Sequence, residues 1–252
     1  MTTPPGKTSK PAATKRQALR DRRRQQHQRQ RLIIILMIVG AALVVAAIMI
    51  VPSLLPAGDI VQITPISRPM VDGRALGDPN APVTIEVFED FQCPSCQAYS
   101  EQVEPQVVDT YVASGQVYYV FRHFPFIDDG KPRQESDQAA NASMCAAEQE
   151  RFWEYHDIVF ANQNGENLGA FIDRRLTAFA REIGLDMEAF NACFDENRFR
   201  DEIEADLASG RSLNVTGTPA VFLNGQILTP GFVPSFDQIS EAVEAALAES
   251  GN

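Results

Sequence analysis

The longest apolar run in the chain is LIIILMIVGAALVVAAIMIV, residues 32–51, twenty positions without a charged or strongly polar side chain. At about 1.5 Å of rise per residue it forms a helix about 30 Å long, the thickness of a bilayer's hydrocarbon core. A buried helix of a soluble protein would carry a polar stripe, and this run carries none, so it is read as a membrane span. Residues 52–80 hold Pro52, Pro56, Pro65, Pro69 and Pro79 with Gly58, Gly73 and Gly77, without sustained periodicity, and read as a semi-extended linker. Two stretches rich in β-branched and aromatic residues follow, PVTIEVFEDF from Pro82 and QVYYVFRHF at Gln116–Phe124, each predicting a strand. Between them Tyr99, Val103, Val107 and Tyr111 recur at helical spacing, with a kink expected at Pro105.

Strand, helix and strand in that order predict a βαβ unit with parallel strands. From residue 134 to 210 the pattern is helical throughout, with Gly184 and Gly210 in the positions of helix stops. TPAVFLNGQIL then predicts a hairpin turning at Asn224-Gly225, and SFDQISEAVEAALAES a closing amphipathic helix capped by Ser235. The predicted class is α/β. Its parts are a basic tail (1–31), a membrane span (32–51), a linker (52–80), an α/β domain in two pieces (81–133 and 211–252) and an inserted helical domain (134–210).

Charge adds a direction to this layout. Residues 1–31 hold ten Lys or Arg against one acid, Asp21, a net of +9, and the remaining 12 bases and 32 acids give −20. Arg16, Arg20, Arg22, Arg23, Arg24, Arg29 and Arg31 all precede the apolar run, so the positive-inside rule keeps the tail in the cytoplasm and exports everything after Val51. A cleaved signal peptide has a shorter apolar region, of about 7 to 15 residues, followed by a small-residue site. This run is longer and enters Pro52, which favours a single-pass signal anchor. The tail has no aromatic interleaving, so no nucleic-acid partner is expected, and its role is to orient the helix against anionic lipid.

Export places all four cysteines, Cys93, Cys96, Cys145 and Cys193, where disulfides persist. Cys93 and Cys96 sit three apart at the junction of the first strand with its helix. A zinc site needs about four Cys or His ligands, and the exported part offers one CxxC with His123 and His156, so no metal is expected, nor any cofactor. The histidines are read as packing or surface residues, and Phe88, Phe91 and Phe124 as core. A structural disulfide in so small a loop gains little, whereas a reducible one is useful. At the helix start the free N–H groups and the dipole favour a thiolate at Cys93. Cys96 can then resolve a mixed disulfide, and Pro94 opens the helix without wasting an N–H. Cys145 and Cys193, in ASMCAAEQ and FNACFDE, point inward at helical spacing. Two buried free thiols are one reading; a structural disulfide is favoured because unpaired thiols would scramble in an oxidising compartment.

GDPNAPVTIEVFEDFQCPSC, RHFPF, CAAEQERFWEYHDIVF and VTGTPAVFLNG, in this order over residues 77–247, resemble the DsbA-like branch of the thioredoxin superfamily, thiol:disulfide oxidoreductases of the bacterial envelope. The resemblance implies a thioredoxin fold interrupted by a helical domain. It implies Cys93 as nucleophile, Cys96 as resolving thiol, and Thr218-Pro219 as a loop whose cis proline lies against the disulfide and exposes the Thr218 backbone to an extended substrate. It further implies exported protein thiols as substrates and a quinone-linked membrane oxidase as reoxidising partner. Two departures stand out. Ser95, beside Pro94 in the CPSC pair, replaces the histidine of many oxidising members, and Val87 occupies the position six before the nucleophile that often holds a proton-transferring acid. Glu86, Glu89 and Asp90 are close by in sequence, with no role assigned to any of them. A reductase or isomerase using the same pair, or a non-catalytic binding module on the same scaffold, are the alternatives.

Overall fold

The computed structural model describes residues 15–54, 58–130 and 134–250, and the chain divides into two compact units, 1–56 and 57–252. In the first unit one helix, α1, runs from Lys15 to Leu54. The basic segment from residue 15 onward and the apolar run thus lie on one continuous helix. Its stretch Gln28–Ile48 has a mean hydropathy of 2.8 and none of it is buried, so α1 is long and apolar enough to cross a membrane.

The second unit is built on a six-stranded sheet of order β1-β2-β4-β3-β5-β6. Its strands are β1 (Val71–Asp72), β2 (Ala75–Leu76), β3 (Val83–Glu89), β4 (Val117–His123), β5 (Ala220–Leu223) and β6 (Gln226–Ile227). β3 and β4 run parallel in register Val83↔Val117 to Glu89↔His123, and every other pair is antiparallel. Residues 71–76 thus belong to the sheet and not to the expected linker. Strands of two residues are too short to show an alternation, and what holds β2 is pairing of Ala75 and Leu76 with Val120 and Tyr119, with Leu76 fully buried.

The crossover between β3 and β4 is α2 (Pro94–Gln102), α3 (Glu104–Val107) and a π-helical turn at Val108–Val112. The break falls at Val103, two residues before Pro105, whose ring supplies no N–H to continue the ladder of α2. Five helices follow: α4 (Glu135–Ala147), α5 (Phe152–Ala161), α6 (Asp173–Glu182), α7 (Met187–Asp195) and α8 (Arg200–Ser212). Cys145 on α4 and Cys193 on α7 form a disulfide with Cα atoms 5.8 Å apart. Gly184, at φ +77°, follows α6 as a helix stop.

Gly210 is no stop, since α8 continues through it to Ser212. A Cβ at this position would lie 2.6 Å from the Phe124 ring, so glycine here lets α8 close onto the sheet. That contact seals a small cluster of Phe88, Phe124, Val215, Ala220 and Phe222, while the larger core fills the other face of the sheet and continues into the helical block. Asn224 and Gly225 both take positive φ, 48° and 79°, as a two-residue hairpin turn requires. Ser235 and Gln238 form a reciprocal cap on α9 (Phe236–Ser250): Gln238 N donates to Ser235 Oγ at 3.3 Å, and Ser235 N to Gln238 Oε1 at 2.9 Å.

Candidate active site

β3 delivers the chain to Asp90, Phe91 and Gln92, which turn it into α2. Asp90 holds this turn. Its Oδ1 accepts from Gln92 N at 2.9 Å and Ser136 Oγ at 2.6 Å, its Oδ2 from Ile127 N at 3.1 Å, and its carbonyl from Cys93 N at 2.9 Å. Burial nonetheless pushes the Asp90 carboxyl up to about 7. From the end of α5, Gln163 Nε2 donates to the carbonyls of Phe91 at 2.8 Å and Cys93 at 3.0 Å. The backbone of Cys93 is therefore fixed from both sides.

Cys93 is the N-cap residue of α2, with Pro94 just inside the helix and no side chain capping the first turn. The free N–H groups are left for the sulfur itself. The Cys93 thiol is lowered to about 6, first by its hydrogen bond with Cys96, opposed by burial, and helped by Thr218 and the backbone N–H groups of Cys96 and Ser95. Cys93 Sγ lies 3.2 Å from the carbonyl oxygen of Thr218, whose peptide bond to Pro219 is cis. Cys93 is 8% exposed, Pro94 and Ser95 are exposed, and Cys96 is wholly buried. Burial, followed by the Cys93 hydrogen bond, holds the Cys96 thiol well above its ordinary value. Both cysteines are free thiols, a dithiol with one ionisable end and one protonated end.

The three acids near the pair separate by strand alternation. Glu86 turns to the partly solvated face and pairs with Arg122 at 2.7 Å. Glu89, on the face that also carries Ile85 and Val87, lies beneath Cys96 with neither carboxyl oxygen in a hydrogen bond of good geometry. Burial is the main cause that holds Glu89 well above the carboxylate range, and Glu104 and Cys93 add to it. So the acid missing at Val87 is supplied two residues later from the same face.

Glu89 continues into a buried polar string that sequence spacing did not reveal, because its members come from the segment before β1, from β3, α3 and α5. Glu89, Glu104 and His156 bring two carboxylate oxygens and a ring nitrogen within 4.8 Å of one another, all buried. Among the described residues this is the grouping whose donor atoms could meet at one cation, and the cation beside it is the Arg68 guanidinium. Arg68 reaches Glu104 Oε1 at 3.0 Å and Asp157 Oδ1 at 2.8 Å, and lies 4.9 Å over the Trp153 ring. His156 Nε2 is 3.6 Å from Glu104 Oε2, and its Nδ1 is 2.9 Å from Asp157 Oδ1. Asp157 is lowered to about 2 by His156 and Arg68 against the cost of burial. His123 packs in the same aromatic cluster, kept neutral by burial, Arg74 and His156. Of the expected packing or surface roles, His123 takes packing, while His156 is buried and also contacts two carboxylates.

The family described as Thioredoxin matches residues 70–245. The probable disulfide bond formation protein D of Bacillus cereus is 29% identical over 178 residues, covering 69% of this chain and 78% of that protein. A Na(+)/H(+) antiporter, NhaA 3 of Salinispora tropica, is 32% identical over 174 residues, which are 69% of this chain and 24% of the antiporter. The crystal structure of oxidised BdbD from Bacillus subtilis superposes with a TM-score of 0.62 at 25% identity, covering 76% of this chain and all of that one.

Proposed function

Because the chain belongs to the thioredoxin family and is a DsbA-like thiol:disulfide oxidoreductase, we propose that its working pair is Cys93–Cys96 and that it donates this disulfide to thiols of exported proteins. The asymmetry of the pair carries the reading. A thiolate at Cys93 near neutrality is a good leaving group, and a pair that is stable when reduced gives its disulfide away readily.

In the proposed cycle a substrate thiolate attacks Cys93 Sγ, the Cys93–Cys96 bond breaks, and Cys96 leaves. Cys96 lies in a site that does not tolerate charge, so it takes a proton from the Glu89 carboxyl beneath it. The second substrate thiolate then attacks the mixed disulfide and expels Cys93 as thiolate. The Thr218 carbonyl, 3.2 Å from Cys93 Sγ, offers a backbone edge on which the substrate strand can lie, with Pro219 behind it. Reoxidation falls to a quinone-linked membrane oxidase. The basic residues at the start of α1 and the acidic remainder support a single-pass anchor in the cell membrane with its N-terminus in the cytoplasm and residues 57–252 outside. In this layout residues 81–133 with 211–252 are the catalytic domain and 134–210 its inserted helical domain.

The deciding measurement is the reduction potential of the Cys93–Cys96 pair, with disulfide transfer to a reduced, unfolded protein as the functional readout. A potential near about −120 mV with rapid transfer fits a donor. One near about −270 mV, with preferential reduction of substrate disulfides, would replace this reading with that of a reductase.

A further inference from the structure

Opening the disulfide leaves Cys96 needing a proton in a place that solvent does not reach, while the substrate covers the Cys93 side. The buried string below supplies another way in. Both oxygens of Glu89, Oε2 of Glu104 and Nε2 of His156 make no hydrogen bond of good geometry, and one donor atom from each of the three residues lies within 4.8 Å of the others in the protein interior. The far end, Asp157, is 13% exposed and lines a pocket of ≈ 290 Å³ on the flank of the domain, together with Ile63, Ile66, Arg68, Pro105 and Phe160.

We propose that Glu104, His156 and Asp157 form a proton path joining the Cys96–Glu89 couple to the flank pocket, so that the proton gained or lost by the resolving thiol passes through the side of the domain and not past the bound substrate. The path rests on the disulfide-donor reading and deepens it. As the disulfide opens, Glu89 gives its proton to Cys96 Sγ and receives one from Glu104. Glu104 receives one from His156 Nε2, and His156 takes one at Nδ1 from solvent through Asp157. Each relay group gives one proton and gains one, so the net change is one proton from solvent now on Cys96. Reoxidation of the pair runs the transfers outward and returns the two ring nitrogens to their starting state. Glu104, His156 and Asp157 touch no substrate and act through Glu89.

The groups facing Glu89 are Cys93 at the cap of α2, Cys96 and Tyr99 from α2, Glu104 from α3, Tyr119 from β4 and His156 from α5. Those facing His156 are Glu104, Asp157 and His123, with Arg68 holding both carboxylates. Arg68 thus fixes the outer carboxylates in place.

The test follows opening of the oxidised full-length chain in detergent by dithiothreitol, from pH 5.5 to 8.5, for wild type, Glu104→Gln, His156→Gln and His156→Ala. Loss of the path slows opening at least about tenfold at pH 8, where solvent protons are scarce, and little at pH 5.5, within the range of a positioned acid. Alkylation of Cys93 by iodoacetamide keeps its midpoint near 6 in every variant. Added imidazole restores His156→Ala through the flank pocket and leaves wild type unchanged. An equal loss at all pH values without rescue, or an unchanged profile in both Glu104→Gln and His156→Gln, overturns the path. So does one equivalent of zinc or manganese retained by wild type and lost by Glu104→Gln. A wild-type Cys93–Cys96 bond that opens but passes no disulfide to an unfolded protein fails the donor reading separately, while the pH profiles still decide the path.

Discussion

Replacing Cys93 by serine should remove a pH dependence from the stability of the reduced protein. In the folded dithiol Cys93 titrates at about 6, against an ordinary value of 9.0. A group whose value is depressed by folding contributes stability above its ordinary value, and that contribution is lost as the pH falls through the folded one. For these two values the linkage integral is negligible at pH 5, about 1 kcal/mol at pH 7 and about 3 kcal/mol at pH 8. Solvent at the exposed edge of the thiol reduces the last figure to about 2 kcal/mol. Asp90 and Asp137, raised to about 7 and about 6, titrate in the same window with the opposite sign, but they do so in both proteins and cancel in the difference. The assay is urea unfolding of residues 57–252 under strict reduction at pH 5, 7 and 8, wild type against Cys93→Ser. The expected gap between the two widens by about 2 kcal/mol from pH 5 to pH 8. Parallel pH profiles would refute the assignment of Cys93 as the low-value thiol.

Two further outcomes are expected from packing and chain entropy. Joining residues separated by 48 positions, the Cys145–Cys193 bridge contributes about 4 kcal/mol in the loop-closure treatment, so Cys145→Ala/Cys193→Ala should lower the unfolding free energy in urea by an amount approaching this, with the Cys93–Cys96 potential unmoved. Gly210→Ala puts a methyl 2.6 Å from Phe124 and should cost about 1 to 3 kcal/mol in the same melt, whereas Gly184→Ala should act through its φ of +77° alone.

Local signals were legible and distant ones were not. Proline after Cys93, Asn224-Gly225 between apolar runs, and Ser235 ahead of α9 each specify a backbone event within a few residues, and the structure places a helix start, a turn and a cap there. Gly210 carries the same residue type as a helix stop, yet its role is set by Phe124, 86 positions away, which no local pattern contains. β1 and β2 are too short for a period. The string from Glu89 to Asp157 escaped for a related reason: Arg68, Glu89, Glu104 and His156 meet only after the β3–β4 crossover and α5 have packed, and a buried acid looks in sequence like a solvated one.

Both margins of the sheet end in strands of two residues, β1 on one side and β6 on the other. In the proposed role the protein is offered loose strands of unfolded chains, and a long bare margin would template their addition and grow into an aggregate. Margins this brief leave room for only a pair or so of main-chain hydrogen bonds before the pairing runs out. In that role an unfolded client would find little backbone to grip at the rims, and the extended surface left to it would lie at Thr218, 3.2 Å from Cys93 Sγ.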